Sequence, residues 1–502
     1  MRAGRIVRNT LSNAVGRVVS LALSFVLTPF ILDALGETAF GVWVLAQVVV
    51  GYGTLLDLGI GAALVRHVAD LRARGESHEA ALVAGTSTRT YTGLAVLAAV
   101  LGGGLAVLAP EVLGTGSLDP TTVTWVFLLV TLGFAVNLAG TPAIASLRGL
   151  QRYDLSNAVT VAGALANAAL TVLVLVLDGG VVALVAVAVP VAVATQVAAV
   201  VMLRREDRRH ALRWSPASWG VARTLTRSGS SIVVAQVAGL LQKRSSELVV
   251  AGALSAAAVT PFSLARRLGE LPNLLSDQFV KVLLPVASEL NATGSRGDLR
   301  RLYLTSTRVT LALVVPFGLV TAFLAADLLE AWVGAAYRDQ APLVVVLVAA
   351  GVASTSQWPA GSVFQGMGRF GPFAVGALVT GVASVVLAVV LVGPYGLTGV
   401  AVATLVPTVL EALFFVGPFA LRRLGVDLRT LLGTALVPAV VPAVPCAALL
   451  LWATRTLDTS GWLALLATGA AAIAVYLAGY LAVPAARAER EALSRAVRLR
   501  RR

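Results

Sequence analysis

The sequence predicts an all-α, polytopic membrane protein of about fourteen transmembrane helices. Three observations predict it. Apolar runs of about 20 residues, each long enough to cross a bilayer, recur along the whole chain. Of 502 residues, 58% are hydrophobic and 13% charged, with a mean hydropathy of +0.86, whereas soluble proteins are about 25% charged. The basic residues gather in alternate connections between those runs, as topology demands of a multi-pass chain.

The helices of the first half fall at about 10–33, 38–65, 81–108, 121–147, 155–177 and 180–203. The first follows a basic start (Arg2, Arg5, Arg8). Its apolar stretch is too long for a secretory leader and runs into Pro29 with no small-residue cleavage site, so it reads as a membrane helix. The second half holds helices at about 226–253, 257–290, 302–327, 340–366, 370–392 and 396–421, and two more follow at about 430–453 and 461–484. Connections after even-numbered helices carry Arg66, Arg72 and Arg74, then Arg148 and Arg152, then Arg204, Arg205, Arg208, Arg209 and Arg213. Further on they carry Arg296, Arg300, Arg301, Arg369, Arg422, Arg423 and Arg429, and the tail ends in Arg498, Arg500, Arg501 and Arg502. Connections after odd-numbered helices are acidic, with Asp33, Glu37, Glu111, Asp119, Asp178, Asp327, Glu330, Asp339 and Asp458, and hold only Arg338 and Arg455 as bases. Both termini are therefore expected in the cytoplasm. The net charge of +14 is explained by this asymmetry rather than by nucleic acid, although the tail also suits anionic membrane lipid. Cys446 is the only cysteine, so no intrachain disulfide or cysteine-rich metal site exists. His67, His78 and His210 fall in or beside loops, and no metal site is expected.

Two copies of a six-helix unit are visible. TPAIASLRGLQRYD, from Thr141, parallels WPAGSVFQGMGRFG, from Trp358, matching Pro142 to Pro359, Ala143 to Ala360, Gly149 to Gly366 and Arg152 to Arg369 at an offset of 217. The same offset carries Gly179 to Gly396 and Pro190 to Pro407. An even number of helices per copy gives both the same orientation, related by an axis along the membrane normal, with a binding site expected between the lobes. The expected division is an N-terminal lobe at 1–210, a C-terminal lobe at 211–425, two additional helices at 426–484 and a basic cytoplasmic tail at 485–502.

The stretch 226–290 carries charges where a membrane helix should have none: Lys243, Arg244 and Glu247, then Arg266, Arg267, Glu270, Asp277 and Lys281. Charges at membrane depth are costly and face a partner or a watery cavity. Arg266, Glu270, Asn273, Asp277 and Lys281 are spaced 4, 3, 4 and 4, which puts them on one helical face. Asn13, Arg17, Ser20, Ser24 and Thr28 repeat that spacing on the first helix. Lys243 lies about 10 residues, or ~15 Å, from the end of its helix, near mid-bilayer. Arg17, Lys243, Arg244, Arg266 and Arg267 outnumber Glu247 and Glu270 by three, or by two if Asp57 faces the same space. The pairs Lys243–Glu247 and Arg266–Glu270 are spaced for i,i+4 neutralisation, and pairing of that kind could serve as interhelical glue alone. A surplus of buried cations instead calls for a bound anion, and arginine suits phosphate. Asp57 and Asp277 are candidates for ion coupling. Prolines such as Pro29, Pro142, Pro272 and Pro359 allow bending. No nucleotide motif or catalytic constellation is present, so the chain is not expected to be an enzyme.

RNTLSNAVGRVVSLALSFVLTPFILDALGETAFGVWVLA followed by LLDLGIGAALVRHVADLRARGE resembles the start of the polysaccharide-transport flippases of the multidrug/oligosaccharidyl-lipid/polysaccharide exporter superfamily. SLARRLGELPNLLSDQFVKVLLPVASEL, EAWVG and VFQGMGRFGPF resemble their second half. The resemblance covers nearly the whole chain. It implies a flippase of the bacterial cytoplasmic (inner) membrane that moves a lipid-linked oligosaccharide, on undecaprenyl pyrophosphate, between leaflets by alternating access. A cationic cavity would hold the headgroup, with Arg17, Lys243, Arg244, Arg266 and Arg267 in the lining helices, joined by Glu247, Glu270 and Asn13. The implied partners are the lipid-linked glycan, membrane lipids and the glycan polymerase or glycosyltransferases that make it. No cofactor is implied, and coupling to H+, Na+ or the membrane potential stays open. Two members of the same superfamily are the alternatives: a peptidoglycan-precursor (lipid II) flippase and a drug/cation antiporter, the latter disfavoured by the positive surplus. A glycan polymerase would need a large outer loop, and a scaffold would need no aligned charges at mid-bilayer.

Overall fold

A glycine at position 36 decides how the chain begins. In the computed structural model, α1 (Arg2–Gly53) is one long helix bent at Gly36, whose φ of 74° is open to glycine at no steric cost. The first two expected helices are thus the two arms of α1. The structure describes residues 2–113, 118–206, 230–459, 461–487 and 489–491; side chains inside helices are described except at 2–18, 20, 21, 77, 230–233, 235, 275 and 278. The expected lobe boundary at 210/211 and the arginines of the 208–213 block and of the tail lie outside these residues.

The expected helix over 38–65 is broken. A short 3-10 turn (Thr54–Asp57) ends in Leu58 and Gly59, both left-handed, and α2 (Ile60–Ala73) restarts beyond them. The next three helices match expectation: α3 (Ser77–Val112), α4 (Pro120–Gly149) and α5 (Tyr153–Val176). The sixth splits at Val187 into α6 (Gly180–Ala186) and α7 (Ala188–Glu206), because Pro190 has no N–H to return to the Ala186 carbonyl. Then come α8 (Ser230–Ala253), α9 (Ala256–Glu270), α10 (Asn273–Ala292), α11 (Arg296–Phe323) and α12 (Ala325–Val333). Pro359 divides the tenth expected helix into α13 (Ala341–Ser356) and α14 (Trp358–Gly366). α15 (Gly371–Leu410) bends at Gly396 (φ 55°) and passes through a π-turn into α16 (Gly417–Leu424). Two single turns, α17 (Leu428–Leu431) and α18 (Val437–Val440), precede α19 (Ala443–Thr456) and α20 (Trp462–Ala482).

Ten segments of the described chain are long and apolar enough to cross a membrane; one of them, Gly371–Leu424, has 54 residues and a bend at Gly396, enough for two crossings. The helices that carry the charged stretch, α8, α9 and α10, are not among the ten. The all-α polytopic fold stands as the sequence predicts.

The described chain packs as two compact units, Met1–Leu240 with Val250–Thr260, and Leu241–Val249 with Pro261–Arg502. In the first, Leu64, Val68, Leu147 and Leu203 form one buried cluster and Ile60, Tyr91, Ala95 and Leu138 another. Small residues set its closest contacts, as is usual where lipid offers no hydrophobic drive. A Cβ on Gly41 would sit 1.9 Å from the Ala256 carbonyl oxygen. Beside it, the Thr260 hydroxyl donates to the Glu37 carbonyl at 2.7 Å. Gly41→Ala should therefore cost about 1–3 kcal/mol. Thermal unfolding in detergent checks this against Gly103→Ala, whose Cβ meets nothing within 4 Å; equal melting of the two variants would contradict the packing.

In the second unit, Phe364, Phe373 and Phe419 stack and cross at centroid distances of 5.1–5.4 Å. The last two helices are not peripheral: Cys446, Leu450 and Tyr476 pack against Ala312 and Leu324. Arg308 on α11 locks them. Its guanidinium lies 2.5 Å from Glu489 and donates to the Thr434 carbonyl at 3.0 Å. Pro438 has no N–H to offer that carbonyl four residues back, which frees it for Arg308. Outside the spans, Arg152 pairs with Asp154 at 3.1 Å and with Glu206, and these carboxylates raise its guanidinium above the usual value, Asp154 most.

Candidate functional site

Pro272 shapes the charged stretch. It has no N–H for the Leu268 carbonyl, so Leu271 donates there instead at 3.1 Å and the helix stops. The continuous helix expected over 257–290 is therefore two. Arg266, Arg267 and Glu270 belong to the last turns of α9, while Asn273, Asp277 and Lys281 belong to α10. The single five-residue face read from their spacing does not exist as one helix face.

The charged middle of α8, Leu241–Val249, packs in the same unit as α9 beyond Thr260. The Arg266 guanidinium does three things. It pairs with Glu247, whose side chain is fully buried; it pairs with Glu270 at 3.1 Å; and it donates to the Lys243 carbonyl at 2.8 Å. The i,i+4 pair expected between Lys243 and Glu247 is thus replaced by a cross-helix pair, while Arg266–Glu270 forms as its spacing suggests. Among the described residues no carboxylate lies within ion-pair distance of the exposed Lys243 ammonium or the half-buried Arg244 guanidinium. Lys243, Arg244, Arg266 and Arg267 gather with Glu247 and Glu270 inside one unit, and among these six described side chains the cations outnumber the carboxylates by two.

A cavity of about 80 Å³ opens here. Lys243, Arg266, Glu270 and Asn273 line it; Arg244, Glu247 and Arg267 do not. The structure adds five polar residues that sequence reasoning missed, Gln242, Ser246, Ser354, Thr404 and Thr408. Gln242 Nε2 donates to the Ala377 carbonyl at 2.9 Å, and the Thr355 hydroxyl donates to Asn273 Oδ1 at 2.7 Å. The four-residue spacing of Thr404 and Thr408 was the available signal. The volume is below the ~300 Å³ of ordinary ligand pockets, so in this conformation the space suits small polar groups or water.

The remaining predicted residues are elsewhere. The side chains of Asn13 and Arg17 lie outside the described residues. Asp57 accepts a hydrogen bond from the Tyr91 hydroxyl in the first unit. Asp277 pairs with Lys281 at 2.7 Å, beyond the break, and neither lines the cavity. Among the described residues no three His, Cys, Asp or Glu side chains gather where they could hold a metal.

The first unit holds a second, larger cavity of about 490 Å³. Ser24 contributes to it from the polar face foreseen on the first helix, together with Trp43, Phe134 and Asn167, which were not foreseen.

A family model described as "Polysaccharide biosynthesis protein" matches residues 34–342. No curated protein sequence matches the chain. Solved structures share its fold. A multidrug resistance MATE family transporter of the MOP superfamily, in an inward-facing conformation, aligns with a TM-score of 0.70 at 17% identity, covering 83% of this chain and 94% of that one. The lipid II flippase MurJ, inward closed, aligns with a TM-score of 0.67 at 12% identity, covering 95% and 98%. A MOP superfamily transporter from Pyrococcus furiosus, described by the reverse polarity of its binding pocket, aligns at 0.60 and 17%, covering 84% and 95%.

Proposed function

Since the chain belongs to the polysaccharide biosynthesis protein family and shares its fold with solved transporters of the MOP superfamily, we propose that it is a membrane flippase that translocates a lipid-linked oligosaccharide, its anionic headgroup held by the cations of α8 and α9. The observation that carries this reading is the pair of cations, Lys243 and Arg244, that have no carboxylate within ion-pair distance among the described residues, beside an arginine already paired with Glu247 and Glu270. A diphosphate would supply the missing negative charge, and lysine and arginine both bind phosphate strongly.

Transport follows by alternating access. The headgroup enters from the cytoplasmic leaflet while its prenyl tail remains in lipid. Phosphate binding neutralises the surplus, so the loaded form closes more readily than the empty one; a ligand shifts a conformational equilibrium only through such a difference in affinity. The setting is the bacterial cytoplasmic membrane with both termini inside, and the partners are the enzymes that build and polymerise the glycan. Asp57, held by Tyr91, and Asp277, held by Lys281, are candidates for coupling to H+ or Na+. No cofactor takes part. A drug/cation antiporter would place an acidic surplus at its cavity, and the surplus here has the other sign.

Proteoliposomes holding a fluorescent undecaprenyl-pyrophosphate oligosaccharide test the reading. Protein-dependent movement of the lipid between leaflets is expected. Export of organic cations without lipid movement would replace this reading with the antiporter.

A further inference from the structure

The larger cavity of the first unit has no Lys, Arg, Asp or Glu in its lining among the described residues. Its 490 Å³ lie within the range of small-molecule sites. The described lining offers an anion no cation, and an organic cation no carboxylate. The lining is nevertheless not purely apolar. Ser24 and Gln47 come from the two arms of α1, Asn137 from α4, and Asn167 and Thr171 from α5. Polar side chains within a membrane bundle face one another or a watery space.

Asn137 is already engaged: Nδ2 donates to the Gly133 carbonyl at 3.0 Å and Oδ1 accepts from Gln196 at 2.8 Å. Among the described residues no hydrogen bond engages the carboxamides of Gln47 and Asn167. A prenyl chain filling this space would strip those amides of water and return nothing, a loss for each buried polar group. An uncharged sugar matches both parts of the lining. Its hydroxyls pair with carboxamides, and its C–H face stacks on an indole or phenyl ring.

We propose that this cavity is a binding site for uncharged sugar residues, with Trp43 as the stacking surface and Asn167 and Gln47 as hydrogen-bonding groups. The proposal rests on the proposed function for the source of the sugar, but binding can be measured without transport.

The test is saturation-transfer NMR on the purified full-length protein with a mixture of free, neutral short oligosaccharides. Transfer to sugar C–H protons is expected. Trp43→Ala should weaken binding roughly tenfold and Asn167→Leu several-fold. Gly133→Val should also weaken it by filling the space, since a Cβ there meets nothing nearer than Val189 at 3.9 Å. Lys243→Ala should leave binding unchanged, and melting temperatures identify any variant that fails to fold. Absence of transfer to every sugar overturns the proposal. So does sugar binding in folded Trp43→Ala and Gly133→Val that equals that of the wild type, or a loss in these variants of farnesyl phosphate binding alone. If sugar binding follows the variants while the lipid-linked oligosaccharide is not moved in proteoliposomes, the sugar site stands and the proposed function fails.

Discussion

Arg266→Ala should destabilise the second unit rather than only slow transport. The substitution leaves Glu247 buried with no ion-pair partner among the described residues, since Arg266 is the cation that pairs with it. Breaking a buried ion pair from one side costs about 3–5 kcal/mol, much of it the penalty of the stranded charge. The loss of the bonds to Glu270 and to the Lys243 carbonyl adds less, because Glu270 is half exposed. Removing the second charge as well, in Arg266→Ala with Glu247→Gln, should recover most of the lost stability, because a neutral amide is far cheaper to bury than a carboxylate. Thermal unfolding of the three variants in detergent separates the cases. If Arg266→Ala melts like the wild type, Glu247 is not a buried anion that depends on Arg266, and the charge arrangement described here is wrong.

The opposite pattern is expected one turn away. Lys243→Glu should melt within a few degrees of the wild type, since Lys243 is exposed and no carboxylate pairs with it among the described residues. Its transport should nevertheless collapse. Losing one charge-assisted contact with phosphate removes about 1.5–3 kcal/mol, roughly 10- to 100-fold, and the new carboxylate adds repulsion to that. Arg244→Gln should fall in the lower part of the same range. Initial rates of lipid movement in proteoliposomes, normalised to inserted protein, provide the comparison. Wild-type rates in Lys243→Glu would remove Lys243 from the substrate path.

The contrast between these two positions marks where the sequence stops being legible. Membrane helices are read from the length of apolar runs, and that signal is local, so α3, α4 and α5 were placed to within a few residues. Breaks were harder. Pro272 was visible, but whether a proline bends a helix or ends it depends on where the freed Leu268 carbonyl finds a donor. The left-handed Leu58 left no sign at all, because residues other than glycine seldom adopt that conformation. The charges of α8 and α9 were recognised as belonging together, yet spacing along one helix assigned Glu247 to Lys243. Its partner is 19 residues on, on another helix, and only packing could supply it. The uncharged cavity was hardest to see. Its polar residues are scattered over three helices, and its local traces were Ser24 on the polar face of the first helix and the four-residue interval between Asn167 and Thr171.

Lys243 and Arg244, with no carboxylate at ion-pair distance among the described residues, are proposed to bind an anionic headgroup. The most direct measurement is the affinity of purified protein for a water-soluble, short-chain prenyl-pyrophosphate oligosaccharide, by calorimetry, in the wild type and in the folded Lys243→Ala/Arg244→Ala double variant. The account predicts a loss of roughly 100-fold or more in the double variant, and a wild-type affinity that falls as salt rises. Equal affinity in the two proteins, at any salt concentration, would contradict it.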